Sequence, residues 1–207
     1  MTDFFYPVAL TGDLTRSCRV VTTRNDLALQ LPRWRAVAQV GAGLGELTEL
    51  ILGVTSPQKV TVIDPFNMHN EAEFWRSHLS AVEARLDHEQ YFRDRFSGPI
   101  SEGRLELFKG EAFEAIEWLT NGSVGIAWVQ GQTNYRDVRD HLQSLLPKMN
   151  GDGVIVVANY IMSDYLSKSD YGVIQATNEF MVKNRWEMIA LALPSSMFCD
   201  VAIRRTR

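Results

Sequence analysis

Short apolar runs alternate with amphipathic stretches along this chain. Ala36–Val40, Val60–Ile63, Leu105–Phe108, Ile126–Val129 and Val154–Val157 are brief, rich in β-branched residues and bounded by Gly or polar positions, so they predict strands. Their near-continuous apolarity predicts burial on both faces. Between them, Leu47, Leu50, Ile51 and Val54 recur at i, i+3, i+4, i+7, and Trp75, Leu79, Val82 and Leu86 at i, i+4, i+7, i+11; both series define helix faces. Tyr135, Val138, Leu142, Leu145 and Leu146 form another stripe, closed by Pro147 and a predicted Asn150-Gly151-Asp152-Gly153 turn. Alternating strand and helix predicts a parallel sheet.

The end of the chain breaks that rhythm. After a helical stretch around Val173–Val182, the runs Trp186–Leu193 and Met197–Ile203 are separated only by Pro194-Ser195-Ser196, too short for a helical crossover. They are expected to pair antiparallel. The prediction is an α/β, Rossmann-like fold whose seven-stranded, mostly parallel sheet ends in an antiparallel hairpin. No repeat or long linker interrupts the 207 residues, so one domain is expected, with 1–32 as an N-terminal extension and 33–204 as the core.

Composition narrows the partners. Lys plus Arg number 21 against 25 Asp plus Glu, a formal charge of -4, which disfavours binding to a nucleic-acid backbone. The two cysteines, Cys18 and Cys199, lie far apart and offer no local zinc or disulfide motif, which fits a reducing cytoplasm. No apolar run approaches the length of a membrane span, and no signal-like segment opens the chain.

The strongest chemical signal is Gln39-Val40-Gly41-Ala42-Gly43-Leu44-Gly45-Glu46, between the first strand and the first amphipathic helix. Glycines there permit positive φ and close approach of a ligand, while the amides of the helix start face it. The spacing is G-x-G-x-G, and Glu46 occupies the place where a pyrophosphate-binding loop would carry its third glycine. At the end of the second strand, Asp64 in Val62-Ile63-Asp64-Pro65-Phe66 can accept both hydroxyls of a ribose.

On these residues and the terminal hairpin, the chain resembles the class I S-adenosylmethionine-dependent methyltransferases, and within them the small-molecule group that includes macrocin O-methyltransferase and, more distantly, catechol O-methyltransferase. Gly110-Glu111-Ala112-Phe113 after strand three and Gly131 with Tyr135 after strand four extend the likeness. The resemblance implies S-adenosylmethionine as cofactor, with Gly41, Gly43 and Gly45 on its methionine part, Asp64 and the adjoining Pro65 on its ribose, and Glu111 with Ala112 on its adenine edge. Gln39 and Gln130 complete the expected cofactor set, Gln39 without the charge of the acidic residue that relatives carry.

Departures from the family pattern concern the acceptor side. Relatives tend to read Ile-Asp-Gly-Asp-His-x-Tyr after strand four, whereas this chain reads Val129-Gln130-Gly131-Gln132-Thr133-Asn134-Tyr135, and the acidic position after strand five is Asn159. Neutral amides offer a hard divalent cation no charge, so no metal is expected. Asn159, Tyr160, Tyr135 and His69 are the candidates for directing or deprotonating an acceptor, and His78, His88 and His141 are read as surface residues. Of the tryptophans, Trp75, Trp118, Trp128 and Trp186 are expected in the core. The expected activity is metal-independent methylation of a small molecule by positioning. A catalytically degenerate cofactor-binding or partner protein and a nicotinamide-dependent oxidoreductase are the competing readings. Self-association is left open.

Overall fold

The computed structural model describes residues 7–70 and 86–206. Its eight-stranded sheet takes β1 (Arg19–Val21), β2 (Ala36–Val40), β3 (Lys59–Asp64), β4 (Leu105–Lys109), β5 (Val124–Val129), β6 (Met149–Val157), β9 (Trp186–Ala192) and β10 (Asp200–Arg205) in the order β1-β9-β10-β6-β5-β2-β3-β4. A separate two-stranded hairpin joins β7 (Ser163–Asp164) to β8 (Ser169–Asp170). Pairings among β2, β3, β4, β5 and β6 are parallel, and β10 runs antiparallel to both β6 and β9.

The expected parallel sheet and terminal antiparallel pair are present, with one strand more than the seven predicted. The addition is β1, which pairs in parallel with β9 through Arg19↔Ala190 to Val21↔Ala192, so part of the N-terminal extension belongs to the sheet. Three residues, two of them exposed, carry no alternation long enough to announce a strand. The Asn150–Gly153 turn is instead absorbed into β6, where the register against β5 shifts between Val124 and Ile126. The loop between β9 and β10 spans residues 193–199, longer than the three residues read from the sequence.

Helices cover both faces because each strand alternates its side chains between them. On one face, Leu27 and Ala28 of α2 (Arg24–Leu29), Leu47 and Ile51 of α3 (Glu46–Val54) and Phe92 of α4 (His88–Arg95) pack on Val37, Val60, Val62, Ile126 and Trp128. On the other, Ala115 and Ile116 of α6 (Ala112–Glu117), Val138, Leu142 and Leu145 of α7 (Tyr135–Leu145), and Phe180 and Met181 of α8 (Val173–Asn184) pack on Val40, Ile63, Ala127, Val129 and Ile155. Two short helices, α1 (Gly12–Thr15) and α5 (Ser97–Ser101), are also present among the described residues. All six residues of β5 are buried, which accounts for its uninterrupted apolar sequence.

This arrangement fixes where a ligand can enter. After β2 the chain crosses one face through α3 to β3, while β5, on the other side of β2, is reached through α6 on the opposite face. The crossovers diverge at the carboxyl ends of β2 and β5, leaving the crevice characteristic of open α/β sheets. Trp128 and Trp186 are buried as expected, but Trp118 is exposed at the end of α6. The helix face read through Trp75, Leu79 and Val82, and His78, lie outside the described residues.

Candidate active site

A cleft of about 430 Å³ opens at that crevice, large enough for a nucleoside-sized ligand. Of the expected cofactor residues, Gly41, Gly43, Asp64, Pro65, Glu111, Ala112 and Gln130 line it, from the carboxyl ends of four adjacent strands. Gly131, Gln132, Asp137 and His141 continue the wall along the loop after β5 and into α7.

Two glycines have identifiable steric reasons. Gly41 has φ +93°, and a Cβ there would sit 2.4 Å from the backbone oxygen of Gln130. The β2 and β5 loops can therefore close on each other only over a residue without a side chain. Gly45, with φ +102°, caps the start of α3, and a Cβ there would meet the Phe96 ring at 2.5 Å. Gly45 does not line the cleft: the third glycine of the motif admits Phe96 from behind rather than a ligand from the front.

Gln39 is also displaced from its expected role. It is fully buried, its Nε2 donates to the Gly41 carbonyl at 2.8 Å, and its Oε1 accepts from the Thr48 hydroxyl at 2.8 Å. Both ends of the amide thus hold the glycine turn against α3. A charged acid is unnecessary for that task, since a carboxylate has no N–H to give the Gly41 carbonyl.

Asp64 joins the two loops it separates in sequence. Its Oδ2 accepts from the Ala42 amide at 2.7 Å and its Oδ1 from the Phe66 amide at 2.5 Å. Two ionised oxygens have about four acceptor sites, so these bonds orient the carboxylate and leave capacity for ribose hydroxyls. Phe66 itself takes φ +51°, turning its ring into the core against Phe92 at 5.5 Å and His88 at 5.2 Å.

His88 is a structural correction. Read as a surface residue, it is fully buried beneath the cleft, with Nε2 2.7 Å from the Gly43 carbonyl. A carbonyl can only accept, so Nε2 carries the hydrogen, and Nδ1 accepts from the Met68 amide at 3.4 Å. Arg95, at the end of the same helix, donates to the Leu44 carbonyl and to Glu49. Helix α4 therefore grips successive carbonyls of the glycine loop from the rear.

The residues proposed to handle the acceptor lie elsewhere. The Tyr135 hydroxyl donates to Glu179 at 2.6 Å, and this bond raises its pKa. The Tyr160 hydroxyl donates to Asn178 at 2.5 Å, and burial pushes the phenol up to about 12. Asn159 holds a left-handed backbone at φ +56°, its backbone N–H donating to Asp200 Oδ1, and His69 Nδ1 accepts from the His88 backbone N–H. None of the four is among the residues lining the cleft. Neither tyrosine has the lowered pKa of an activated nucleophile or base.

His141, read from the sequence as a surface residue, is a second correction. It lines the cleft, is only 6% exposed, and its Nδ1 has no hydrogen-bond partner among the described residues. Burial lowers its pKa, opposed by Asp137 and Asp140. The signal was present: Val138, His141, Leu142 and Leu145 follow i, i+3, i+4, i+7, which puts the histidine on the buried stripe.

The charge of the cleft is one-sided. Asp64, Glu111 and Asp137 line it, and no Lys or Arg is among the described residues that do. Such a surface accommodates a cationic ligand and opposes a pyrophosphate. Among the described residues, no three His, Cys, Asp or Glu side chains converge as a metal site would require, and no helix is long and apolar enough to cross a membrane.

These features define a Rossmann-like nucleoside-binding fold of the methyltransferase type. A family model described as methyltransferase domain matches residues 36–160, from the start of β2 to just beyond β6. The chain belongs to that family, whose members are S-adenosylmethionine-dependent enzymes. No curated protein matches it significantly. Among solved structures, it is similar to a putative rRNA methylase from Clostridium thermocellum, with 11% identity and a TM-score of 0.61 over 88% of this chain and 93% of that one. An O-methyltransferase family protein from Burkholderia thailandensis shares 11% identity and a TM-score of 0.60 over 88% of this chain and 55% of that one. The 1,6-didemethyltoxoflavin N1-methyltransferase of the same organism, solved with 1,6-didemethyltoxoflavin and S-adenosylhomocysteine, shares 14% identity and a TM-score of 0.54 over 84% and 72% of the two chains. At these identities the structures share the fold.

Proposed function

We propose that the protein methylates a small molecule without a metal, in the cytoplasm, by holding the acceptor in line with the cofactor's methyl group. The observation that carries the reading is the acidic cleft behind a steric glycine turn: among the described residues that line it, three carboxylates and no Lys or Arg suit a ligand bearing a sulfonium and an ammonium. The same charge disfavours the dinucleotide reading, and the formal charge of -4 disfavours a nucleic-acid acceptor. The macrocin-type resemblance and the toxoflavin N-methyltransferase fold support the small-molecule class.

The residues fit the cofactor as follows. Gly41 and Gly43 leave the backbone open to the methionine part, Asp64 keeps oriented acceptors for the ribose, and Glu111 stands at the N-cap of α6 beside Ala112 and Phe113 for the purine. When bound, the cofactor supplies an electrophilic methyl group on a good leaving group. The chain contributes orientation: Gln130 and Gln132 are amides at the loop over the glycine turn, and can direct an acceptor by hydrogen bonds. With Asn159, they replace the carboxylates by which relatives would hold a cation, and a neutral donor set does little to offset the dehydration of Mg²⁺. Asn159, Tyr160, Tyr135 and His69 shape the acceptor side from outside the cleft wall.

A panel of amine- and phenol-containing small molecules, assayed with labelled S-adenosylmethionine in the presence and absence of a chelator, tests the proposal. Transfer that is indifferent to the chelator supports it. Transfer abolished by the chelator and restored by Mg²⁺ overturns the metal-free mechanism, and cofactor binding without transfer to any acceptor favours a degenerate binding protein.

A further inference from the structure

The sheet carries a second concavity at its other end. A cleft of about 410 Å³, close in size to the one beside the glycine turn, opens where β10 ends next to the first halves of β6 and β9, at the edge opposite Gly41 and Asp64. Its floor is apolar: helix α2 stops at Leu29, and Pro32, Val154 and Ile189 line the space beyond the helix end. Arg204 and Arg205 stand beside that floor. The two clefts share no lining residue, so a ligand here is independent of the cofactor.

Arg204 is oriented from behind. The β9–β10 register sets it across from Glu187, whose side chain is only 11% exposed, and the Arg204 Nε donates to Glu187 Oε1 at 2.9 Å. That bond fixes the guanidinium plane and, among the described residues, leaves the N–H groups of Nη1 and Nη2 untaken. These two nitrogens form the fork that meets two oxygens of one carboxylate or phosphate. Arg205 is exposed and has no hydrogen bond or ion pair to a described residue. Asp152 in the lining is already paired with Arg35, and Arg19 reaches Gln30 on the helix side at 3.5 Å. Arg19, Arg35, Arg204 and Arg205 thus face only Glu187 and Asp152, a local positive excess on a chain of formal charge -4. A bare inorganic ion would use the fork and leave the floor empty, whereas a ligand with an apolar body covers both. We propose that this cleft binds a small organic oxyanion, a carboxylate or phosphate head on a flat apolar body, with Arg204 and Arg205 on the head and Pro32, Val154 and Ile189 under the body.

Backbone amide spectra of the full chain decide it, titrated with benzoate, phenyl phosphate, neutral benzamide and inorganic phosphate. Benzoate or phenyl phosphate is expected to move the amides of residues 151–154, 189 and 204–206 with a Kd below about 5 mM, leaving residues 41–46 in place. Preference between the two tells a carboxylate head from a phosphate head, and either supports the proposal. Benzamide lacks the charge and inorganic phosphate the body, so each should bind at least about threefold more weakly. Arg205→Gln removes an exposed side chain and should weaken the better anion about threefold to tenfold, and Arg204→Gln by more. Melting curves of each free protein establish folding; if Arg204→Gln unfolds because Glu187 loses its partner, Arg205→Gln alone decides. Equal binding of benzamide, an affinity unchanged in Arg205→Gln, shifts confined to residues 41–46 and 64–68, or no saturable shift by about 5 mM overturns the proposal. Shifts at 204–206 with a short RNA hairpin but with neither organic anion also overturn it, in favour of a nucleic-acid surface.

Discussion

The glycine-loop side of the cleft and the segment after β6 are built on opposite plans. The first is braced from behind: Gln39 holds the Gly41 carbonyl, His88 the Gly43 carbonyl and Arg95 the Leu44 carbonyl, with Phe96 filling the space that Gly45 leaves. Its front is left to the cleft. In the second, the polar groups bind the body of the protein: the Tyr160 hydroxyl to Asn178, the Asn159 backbone amide to Asp200, and Asp164 to Ser167 and the Leu166 amide within its own hairpin. Polar and aromatic residues at the carboxyl end of a strand are thus not by themselves a catalytic group; what distinguishes the two regions is that the braced glycine loop lines the cleft and residues 159–171 do not.

The comparison can be broken most forcefully at Gly41. Gly41→Val adds atoms against the Gln130 carbonyl at a left-handed φ, and should cost about 3 kcal/mol or more of folding stability through strain and overpacking, read from the urea midpoint. Next, Asp64→Ala should weaken S-adenosylhomocysteine by about 1.5–3 kcal/mol, the scale of hydrogen bonds to a charged group, in a titration at constant pH. Tyr160→Phe should do the reverse: a loss of about 1 kcal/mol of stability from the broken Asn178 bond, with cofactor affinity unchanged. A large fall in affinity there would erase the distinction between the two regions.

The smallest effect concerns protons. Burial holds the His141 pKa below its ordinary value, so the unfolded chain binds a proton more readily than the folded one. Its contribution to stability is unchanged well above the ordinary histidine value and is lost as pH falls through that value toward the lowered one. Denaturation midpoints of the wild type and His141→Asn across this range should diverge toward acid, the wild type losing more. Parallel curves would show that the imidazole is not held neutral by its surroundings.

The sequence announced what is local. Five parallel strands, the terminal antiparallel pair, the glycine turn and Asp64 are each carried by a pattern of a few consecutive residues, although the pairing of β2 with β5 joins strands that are distant in the chain. The eighth strand was hidden because Arg19–Val21 gains its partner from β9, some 170 residues later, and has too few residues to display a period. Tyr135 and Tyr160 looked available because their acceptors, Glu179 and Asn178, sit on α8, which no local pattern connects to them. Gln39 and Gly45 stand within the glycine motif in sequence, yet which of its residues line the cleft depends on Thr48 and Phe96 packed behind the loop. His141 differs: its place on the stripe was visible, and polarity alone argued it outward.

Hydrogen exchange of the whole chain with and without saturating S-adenosylhomocysteine tests the central claim most directly. The account predicts new protection at the glycine loop 41–46, at 64–68 after β3 and at 110–113 after β4, with residues 159–171 unaltered. Protection confined to 159–171, or none anywhere at millimolar ligand, would contradict it.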